Sequence, residues 1–168
     1  MERPWQRVSL TAYPSYLDQV AQWHHRECLR QGLHSCPEQR RDRLLQHLNG
    51  SSSVPHTWLA LERGSDQLIG CVSVVSYHLG TQPGEPCPET PLWLSNLFVA
   101  PQWRRQGVAA DLMDEVQQFA RQLGMAQLWL TAKDQADFYR RRGWQVVRRA
   151  KLGGRWVQVM SRALADTA

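Results

Sequence analysis

Apolar side chains recur at strand-like or helix-like intervals along most of the 168-residue chain. Residues 6–11 alternate weakly between apolar and polar side chains, which predicts a first strand. Two helices should follow. Ser15 can serve as the N-cap of the first helix, whose apolar positions repeat at helical spacing. Ser35 and Glu38 form the pattern of a capping box and predict the second helix, which should end at residues 49–50.

The remaining two thirds of the chain predict mostly strands. Runs rich in β-branched and aromatic residues at 57–62 and 68–77 predict a hairpin, and the segment 78–91, with four prolines and two glycines, predicts a loop. Further strands are predicted at 92–99, 125–131, 144–148 and 155–161, with a long helix from Val108 to Gly124 and a short helix from Asp134 to Arg142. The predicted element order is β-α-α-β-β-β-α-β-α-β-β.

Length and composition predict one soluble domain that spans residues 1–168. The first residues, MERPWQRVSL, do not resemble a leader peptide, and no apolar run approaches the roughly 18 residues of a membrane span. The four cysteines contain no C-x-x-C pair, which is typical of reduced thiols in a cytoplasm. We therefore expect a cytoplasmic protein without a membrane partner.

The formal net charge is +5, from 20 Lys and Arg residues against 15 Asp and Glu residues. Lys133 and Lys151 are the only lysines, so arginine supplies almost all of the positive charge. The planar guanidinium group favours phosphate and carboxylate partners, and an anionic ligand is therefore indicated. Basic residues become more frequent between Arg140 and Arg162, where a solvated surface is the simpler explanation.

The stretch PQWRRQGVAADLM, residues 101–113, follows a predicted strand and opens the long helix. A helix N-terminus presents unpaired N–H groups and the positive end of the helix dipole, which together attract anions. Gly107 and Ala109 keep the approach to these groups free of large side chains, and Arg104 and Arg105 add charge at the rim. This pattern predicts a pyrophosphate site. It lacks the motifs of a P-loop or a dinucleotide fold.

Two segments resemble the GNAT superfamily of N-acetyltransferases. The segment LFVAPQWRRQGVAADLM is similar to its acetyl-CoA signature, in which [RQ]-x-x-G-x-[GA] opens a helix, with Arg104, Gly107 and Ala109 at the defining positions. The segment DFYRRRGW, residues 137–144, resembles the family's aFYeklGF segment. The resemblance implies a single α/β (α+β) domain, with a mixed, mostly antiparallel sheet of about seven strands flanked by about four helices.

The same resemblance implies an acyltransferase that moves the acetyl group of acetyl-CoA directly to a primary amine, on a small molecule or a peptide α-amino group. The implied cofactor-binding residues are Leu97, Phe98, Val99, Arg104, Arg105, Gln106, Gly107, Val108, Ala109 and Ala110. The strand residues would contact the pantetheine arm, and the amides of residues 105–110 would bind the pyrophosphate. The amide of Phe98 or Val99 would stabilise the oxyanion.

Tyr139 corresponds to the tyrosine that protonates the leaving thiolate in the family. A tyrosine of ordinary pKa, about 10, can serve as donor to a thiolate whose conjugate acid has a pKa of about 8.5. A packing role in the core is the alternative for this residue. A catalytically silent acyl-CoA-binding module would be expected to lack Tyr139.

The chain departs from the family where a general base is expected. Many relatives carry glutamate on the strand before the loop or on the next strand, where this chain has Trp93 and Thr131. Neither residue can act as a base. Water could relay the proton to a residue of the proline-rich loop, His78, Glu85 or Glu89, but we assign no base. An asparagine that relatives use to contact the cofactor is also absent, and Gln135 is either a cofactor contact or a surface residue.

Other ligands and partners are not favoured by the sequence. His24, His25 and Cys28 do not match a zinc spacing, so no metal is expected. A nucleic-acid-binding protein is the remaining alternative, but the consecutive residues Arg140 to Arg142 point around a helix rather than along one face. We expect an amine acceptor and no nucleic acid. The sequence leaves the acceptor's identity and the oligomeric state open, a homodimer included.

Overall fold

The computed structural model describes residues 2–48, 54–77 and 91–164. These residues form seven strands and four α-helices. In chain order they are β1 (Trp5–Ser9), α1 (Leu17–Arg30), α2 (Pro37–Leu45), β2 (His56–Glu62), β3 (Leu68–Ser76), β4 (Leu92–Val99), α3 (Val108–Gln122), β5 (Gln127–Ala132), α4 (Ala136–Arg140), β6 (Gln145–Leu152) and β7 (Arg155–Ala163). The predicted element order is confirmed.

The seven strands form one sheet in the order β1-β2-β3-β4-β5-β7-β6. β4 and β5 pair in parallel, whereas β1 with β2, β2 with β3, β5 with β7 and β7 with β6 pair in antiparallel orientation. The expected mixed, mostly antiparallel sheet flanked by four helices is therefore confirmed.

The chain divides into two compact units, of which the first comprises the described residues within 1–74 and 96–116. Its apolar core consists of Leu10, Leu17, Val20, Ala21, Leu44, Leu59, Leu61, Leu68 and Cys71. The α1 members of this core repeat at helical spacing, as the sequence pattern predicts. The second unit comprises the described residues within 75–95 and 117–168, and Trp93, Trp129 and Val159 form an apolar cluster inside it.

Gly70 of β3 allows the first turns of α3 to approach the sheet closely. A Cβ atom at Gly70 would lie 3.1 Å from side-chain atoms of both Leu112 and Val108, and 3.3 Å from the carbonyl oxygen of Phe98. These distances are shorter than ordinary carbon contacts of about 3.5–4.0 Å. Glycine therefore allows this separation between β3 and α3.

Both predicted helix caps in the N-terminal region are wrong. Ser15 lies within the short 3-10 turn Pro14–Tyr16, and α1 begins after Tyr16 without a side-chain cap. α2 begins at Pro37, which suits a first turn because that position needs no N–H donor. Ser35 instead contacts His25, with 2.9 Å between Oγ and Nδ1. A tertiary contact has taken the hydroxyl group that the capping box would use.

Strand ends also differ from the predictions. β1 ends at Ser9, whose hydroxyl accepts a hydrogen bond from the Thr11 N–H and starts a 3-10 turn, Leu10–Ala12. The last two strands are longer than predicted and meet at Gly153 and Gly154, whose φ angles of 58° and 78° suit a two-residue hairpin turn. The predicted helix end at residues 49–50 and the predicted loop at 78–91, apart from Pro91, lie outside the described residues.

The short helix α4 also begins later than predicted. Its N-cap is Gln135, and Asp134 does not cap it. Cys28, Cys36 and Cys71 are free thiols, and Cys87 lies outside the described residues. None of the described helices combines the length and apolar character that a membrane crossing requires.

Candidate active site

The predicted anion site lies between β4 and α3, in the first unit. A short 3-10 turn, Pro101–Trp103, follows the strand, and a turn over residues 104–107 leads into the helix. The Asp111 N–H donates to the Gly107 carbonyl oxygen at 3.0 Å, which makes Gly107 the N-cap. The N–H groups of the next three residues precede any intrahelical bond and are available to an anion.

Gly107 leaves open space beside this helix start. Its φ of 97° lies in the left-handed region, which favours glycine. A Cβ atom there would meet the Trp5 ring at 4.0 Å and no other atom of the described residues within that distance. Arg105 also has a positive φ, 64°, and its side chain is exposed. The open space and the free N–H groups fit a phosphate-bearing ligand.

Arg104 is bound to the end of β4 and does not merely add charge at the rim. Its Nε donates to the Val99 carbonyl oxygen at 2.9 Å, and its guanidinium carbon lies 5.5 Å from the centre of the Phe98 ring. That ring also contacts Trp23 of α1, with 4.8 Å between the ring centres. Arg104 therefore fixes the path of the loop relative to the strand that precedes it.

β4 contains an irregularity that the sequence pattern did not predict. Asn96 has a φ of 54° and an exposed side chain, within a strand whose first three residues are buried. A left-handed residue inside a strand is typical of a bulge. The signal in the sequence was an asparagine in an apolar strand, since asparagine tolerates positive φ better than most residues. The predicted pantetheine contacts Leu97, Phe98 and Val99 follow it directly.

The N–H groups at the end of β4 point in alternate directions. The Ala100 N–H donates to the Ile69 carbonyl oxygen of β3 at 2.8 Å. Because alternate residues of a strand direct their N–H groups to the same side, the Phe98 N–H also faces β3. In agreement, the Phe98 backbone lies close enough to the buried Cys71 thiol of β3 to lower its pKa, against the larger raising of that pKa by burial. The Val99 N–H faces away from β3.

Tyr139 lies on α4, in the second unit, and is buried. Its ring packs edge-on against Phe138 and Trp144, with ring centres 5.1 and 6.1 Å apart. Burial raises the pKa of Tyr139 to about 12, against a smaller lowering by the charge of Arg142. The expectation of an ordinary pKa is therefore wrong, because the ring is packed in a low-dielectric environment. The phenol keeps its proton at any ordinary assay pH.

The two positions where relatives carry glutamate hold no base. The Trp93 indole is buried, donates to the Tyr77 carbonyl oxygen at 2.9 Å and stacks on the Tyr77 ring at 4.6 Å. Thr131 is half-buried on β5. Gln135 is exposed as the N-cap of α4. The loop candidates for a water relay, His78, Glu85 and Glu89, lie outside the described residues, and the base stays unassigned.

An open cavity of about 550 Å³ adjoins the same helix start in the first unit, where Gln106, Gly107 and Ala110 line it together with Trp5. Its lining includes the carboxylates of Glu2, Asp111 and Asp114 and the single arginine Arg3. Asp111 is paired with arginines, but the carboxylates of Glu2 and Asp114 disfavour a pyrophosphate group beside them. The N–H groups of the helix start stay the predicted place of the anion.

Asp111, in the first turns of α3, was not recognised from the sequence. Its carboxylate is 4% exposed and accepts a hydrogen bond from the Trp5 indole at 2.9 Å. Arg3 also binds this carboxylate, and the Arg7 guanidinium lies 3.3 Å from it. Arg7 further donates to the Asp111 carbonyl oxygen at 2.9 Å. These contacts fasten the start of α3 to β1 and to the residues before it.

No group of three or more His, Cys, Asp or Glu side chains that could hold a metal ion occurs within residues 2–48, 54–77 and 91–164. His24 is buried in the first unit, and His25 contacts Ser35. The expectation that no metal is bound stays a prediction.

Comparison with known proteins identifies the family. The family described as "Acetyltransferase (GNAT) domain" matches residues 54–146, which is more than half of the chain. A search of curated proteins finds no significant match.

Solved structures share the fold. A GNAT-family acetyltransferase from Staphylococcus aureus Mu50 superposes with a TM-score of 0.69 at 14% identity, over 96% of this chain and 99% of that one. An aminoglycoside 6'-N-acetyltransferase complexed with coenzyme A gives a TM-score of 0.72 at 12% identity, over 97% and 99%. Arabidopsis thaliana NAA60 in complex with acetyl-CoA gives 0.67 at 18% identity, over 95% and 98%.

The fold, the helix start after β4 and these comparisons define an acyltransferase. The chain belongs to the GNAT family of acetyltransferases.

Proposed function

We propose that this protein is an N-acetyltransferase that moves the acetyl group of acetyl-CoA directly to a primary amine, on a small molecule or at a peptide α-amino group. The observation that carries the proposal is the start of α3. Its N–H groups at residues 108–110 precede the first intrahelical bond, and Gly107 leaves open space beside them. A catalytically silent acyl-CoA-binding module is the alternative, and Tyr139 argues against it.

Acetyl-CoA would supply an activated acyl group as a thioester. The residues proposed to hold it are Leu97, Phe98, Val99, Arg104, Arg105, Gln106, Gly107, Val108, Ala109 and Ala110. The Val99 N–H is a better donor to the reacting carbonyl oxygen than the Phe98 N–H, because the latter faces β3. The backbone of β4 would thus orient the carbonyl group without the help of a charged side chain.

Tyr139 is proposed to act on the leaving sulfur. Burial holds its pKa at about 12, far above the value of about 8.5 for a free thiol. Complete proton transfer to a thiolate is therefore uphill, whereas a hydrogen bond from the neutral phenol is always available. We propose that Tyr139 stabilises the developing thiolate by donating this hydrogen bond, and that the final proton can come from solvent.

The acceptor amine is proposed to have a lowered pKa. An α-amino group, with a pKa near 8, is partly neutral at pH 7–8, whereas a lysine-like amine near 10.4 needs a base or strong desolvation. No base is assigned at the positions of Trp93 and Thr131. We propose that the amine enters beside the segment 78–91. The free thiols of the described cysteines support the cytoplasm as the proposed compartment.

Screening a panel of amines for CoA release with acetyl-CoA as donor tests this function. The panel would hold peptides with free N-termini, aminoglycosides, polyamines and amino acids, and mass spectrometry would identify the acetylated nitrogen. N-acetylation of at least one α-amino group or small-molecule amine is expected. Tight acetyl-CoA binding without turnover on any amine would support the silent module, and a lack of binding would reject both. Shortening the segment 78–91 should raise KM for the amine and spare KM for acetyl-CoA.

A further inference from the structure

Positive charge is concentrated in one segment of the chain. Residues 138–164 contain eight of the twenty Lys and Arg residues and none of the fifteen Asp and Glu residues. The other residues carry twelve basic and fifteen acidic side chains. The excess of positive charge therefore belongs to the hairpin of β6 and β7 and to the residues just before it, all in the second unit.

The structure brings part of this charge to one surface, which we call the basic hairpin face and define by Arg140, Arg149, Lys151, Trp156 and Gln158. Arg149 lies opposite Gln158 and Lys151 opposite Trp156, so their side chains share one side of the sheet. The Arg149 and Lys151 charges lie 5.0 and 5.4 Å from the centre of the Trp156 ring. Arg140 reaches the Gln158 side chain at 3.5 Å and also pairs with Asp137 at 2.7 Å, so the net positive charge of this face is that of Arg149 and Lys151. The Trp156 side chain is 55% exposed.

The backbone of β6 is also available. The strand lies at the edge of the sheet, and among the described residues no strand pairs with its outer side. The two-residue turn makes Leu152 and Arg155 a hydrogen-bonded pair, and antiparallel pairs alternate in type. Arg149 and Lys151 therefore belong to non-hydrogen-bonded pairs, whose N–H and C=O groups point away from β7. The same two residues offer both positive side chains and free backbone groups.

We propose that the edge of β6 binds an acidic, extended polypeptide segment of a partner protein as an added strand. Backbone hydrogen bonds along β6 would give affinity, and carboxylates on alternate partner residues would meet Arg149 and Lys151. This interaction needs neither acetyl-CoA nor the chemistry at Tyr139, so it goes beyond the proposed function.

Other occupants fit this surface less well. A second copy paired through β6 would set the positive side chains of the two edges against each other, which is destabilising. Single-stranded nucleic acid needs an accessible aromatic face on which a base can stack. The Trp156 ring already has Arg149 and Lys151 beside it. A strand edge with two cations on one side matches an extended acidic chain better.

Fluorescence anisotropy with a labelled twelve-residue peptide of alternating Glu and Thr tests the proposal on the full chain. We expect saturable binding that weakens as salt is added. The variant R149E/K151E should weaken binding at least about tenfold, because two attractive contacts become repulsive. If circular dichroism shows that the charge reversal in R149E/K151E disturbs folding, the neutral variant R149Q/K151Q replaces it and should also weaken binding. The control R26E/R43E changes the same charge at exposed residues of α1 and α2 and should bind within about twofold of the wild type.

The backbone part of the proposal is tested from the side of the peptide. The same peptide with alternate residues N-methylated keeps its charge but cannot add a strand, and it should bind at least about tenfold more weakly. The proposal would be overturned if the methylated peptide bound as tightly as the unmethylated one. It would also be overturned if R149E/K151E and the control R26E/R43E lost the same amount of affinity. Tighter binding to oligo(dT) or to phosphatidylserine vesicles than to the peptide, or dimerisation through β6, would also overturn it. If the peptide does not bind at all, the proposal is wrong and the cations only protect the strand edge from aggregation.

Discussion

The Trp5 indole donates a hydrogen bond of 2.9 Å to the buried carboxylate of Asp111, across 106 positions of sequence. The contact joins β1 to the first turns of α3, whose N–H groups form the candidate anion site. Arg3 and Arg7 bind the same carboxylate and balance its charge. A carboxylate this near the helix start would otherwise repel the pyrophosphate that we propose to bind there, and the two arginines reduce this repulsion although they are remote from the loop in sequence.

The Asp111 contact should contribute measurably to stability. Asp111→Ala leaves the buried Trp5 N–H without its acceptor and removes the partner of two arginines. We expect the free energy of unfolding to fall by about 1–3 kcal/mol, the usual cost of an unsatisfied buried polar group. Urea unfolding measures it. The exposed Asp114, on the same helix, is the control, and Asp114→Ala should change stability by no more than about 0.5 kcal/mol. Equal stabilities for the two variants would contradict the assignment.

Gly107→Glu should abolish acetyl-CoA binding. The new side chain would fill the open space beside the helix start and place a negative charge where the pyrophosphate is proposed to bind. Isothermal titration calorimetry measures the affinity. Gly64→Glu is a matched control, because Gly64 has a similar φ of 93° and no neighbouring atom within 4 Å of its Cβ position. It should suffer similar backbone strain but keep its affinity. Unchanged affinity in Gly107→Glu would remove the proposed anion site.

Tyr139→Phe should lower turnover about 10²-fold or more and leave acetyl-CoA affinity nearly unchanged. The ring contacts with Phe138 and Trp144 can persist, so the variant removes only the hydroxyl group. Steady-state kinetics with the best amine of the panel measures the effect. Tyr77→Phe, which removes another hydroxyl from the second unit, should turn over normally. If Tyr139→Phe matches the wild type while chemistry limits the rate, the residue serves only in packing.

The raised pKa of Tyr139 makes a separate prediction about pH. Because the phenol has a pKa of about 12, it stays protonated well above neutral pH. The activity should therefore show no descending limb from this residue below about pH 10, whereas a tyrosine with the ordinary value of about 10 would begin to lose its proton near pH 9. A pH–rate profile up to pH 10 tests this, with Tyr139→Phe as the reference for any other titrating group.

Two buried histidines should make the first unit sensitive to acid. Burial lowers the pKa of His24 to about 4, helped by the charges of His47 and Arg40, and burial also lowers the pKa of His47 to about 4. The folded state favours the neutral rings, whereas the unfolded chain binds protons near pH 6.5. The two neutral histidines therefore destabilise the folded state only below pH 6.5. The loss of stability grows as the pH falls from 6.5 to about 4, because the unfolded chain binds protons that the folded chain does not.

Each of the two histidines should lower the free energy of unfolding by about 2 kcal/mol at pH 5, compared with pH 7.5. Urea unfolding at the two pH values measures the loss. His24→Leu should reduce the difference between them, and His34→Gln, at an exposed position, should leave it unchanged. If His24→Leu shows the full wild-type difference, acid sensitivity arises from other groups.

The features that the sequence predicted best are those that depend on residues close together along the chain. β4 and the start of α3 lie at the predicted residues, because strand pattern, proline and glycine all agree there. The helix caps failed where a tertiary contact competed, as when His25 took the Ser35 hydroxyl. Neither the Asp111 contacts nor the pKa of Tyr139 could be predicted, since both depend on residues that approach only in the folded chain. Asn96 gave a weak local signal.

Gly70 carries no functional group, yet it bears on how an acyl donor would be held. Any larger residue there would push the first turns of α3 away from β3, and the N–H groups at the helix start would move with them. A mutational scan selected for catalysis should therefore reject substitutions at Gly70 more strictly than a scan selected for folding alone. The distance between β3 and α3, which the missing side chain of Gly70 allows, would then help to determine how tightly the enzyme binds its acyl donor.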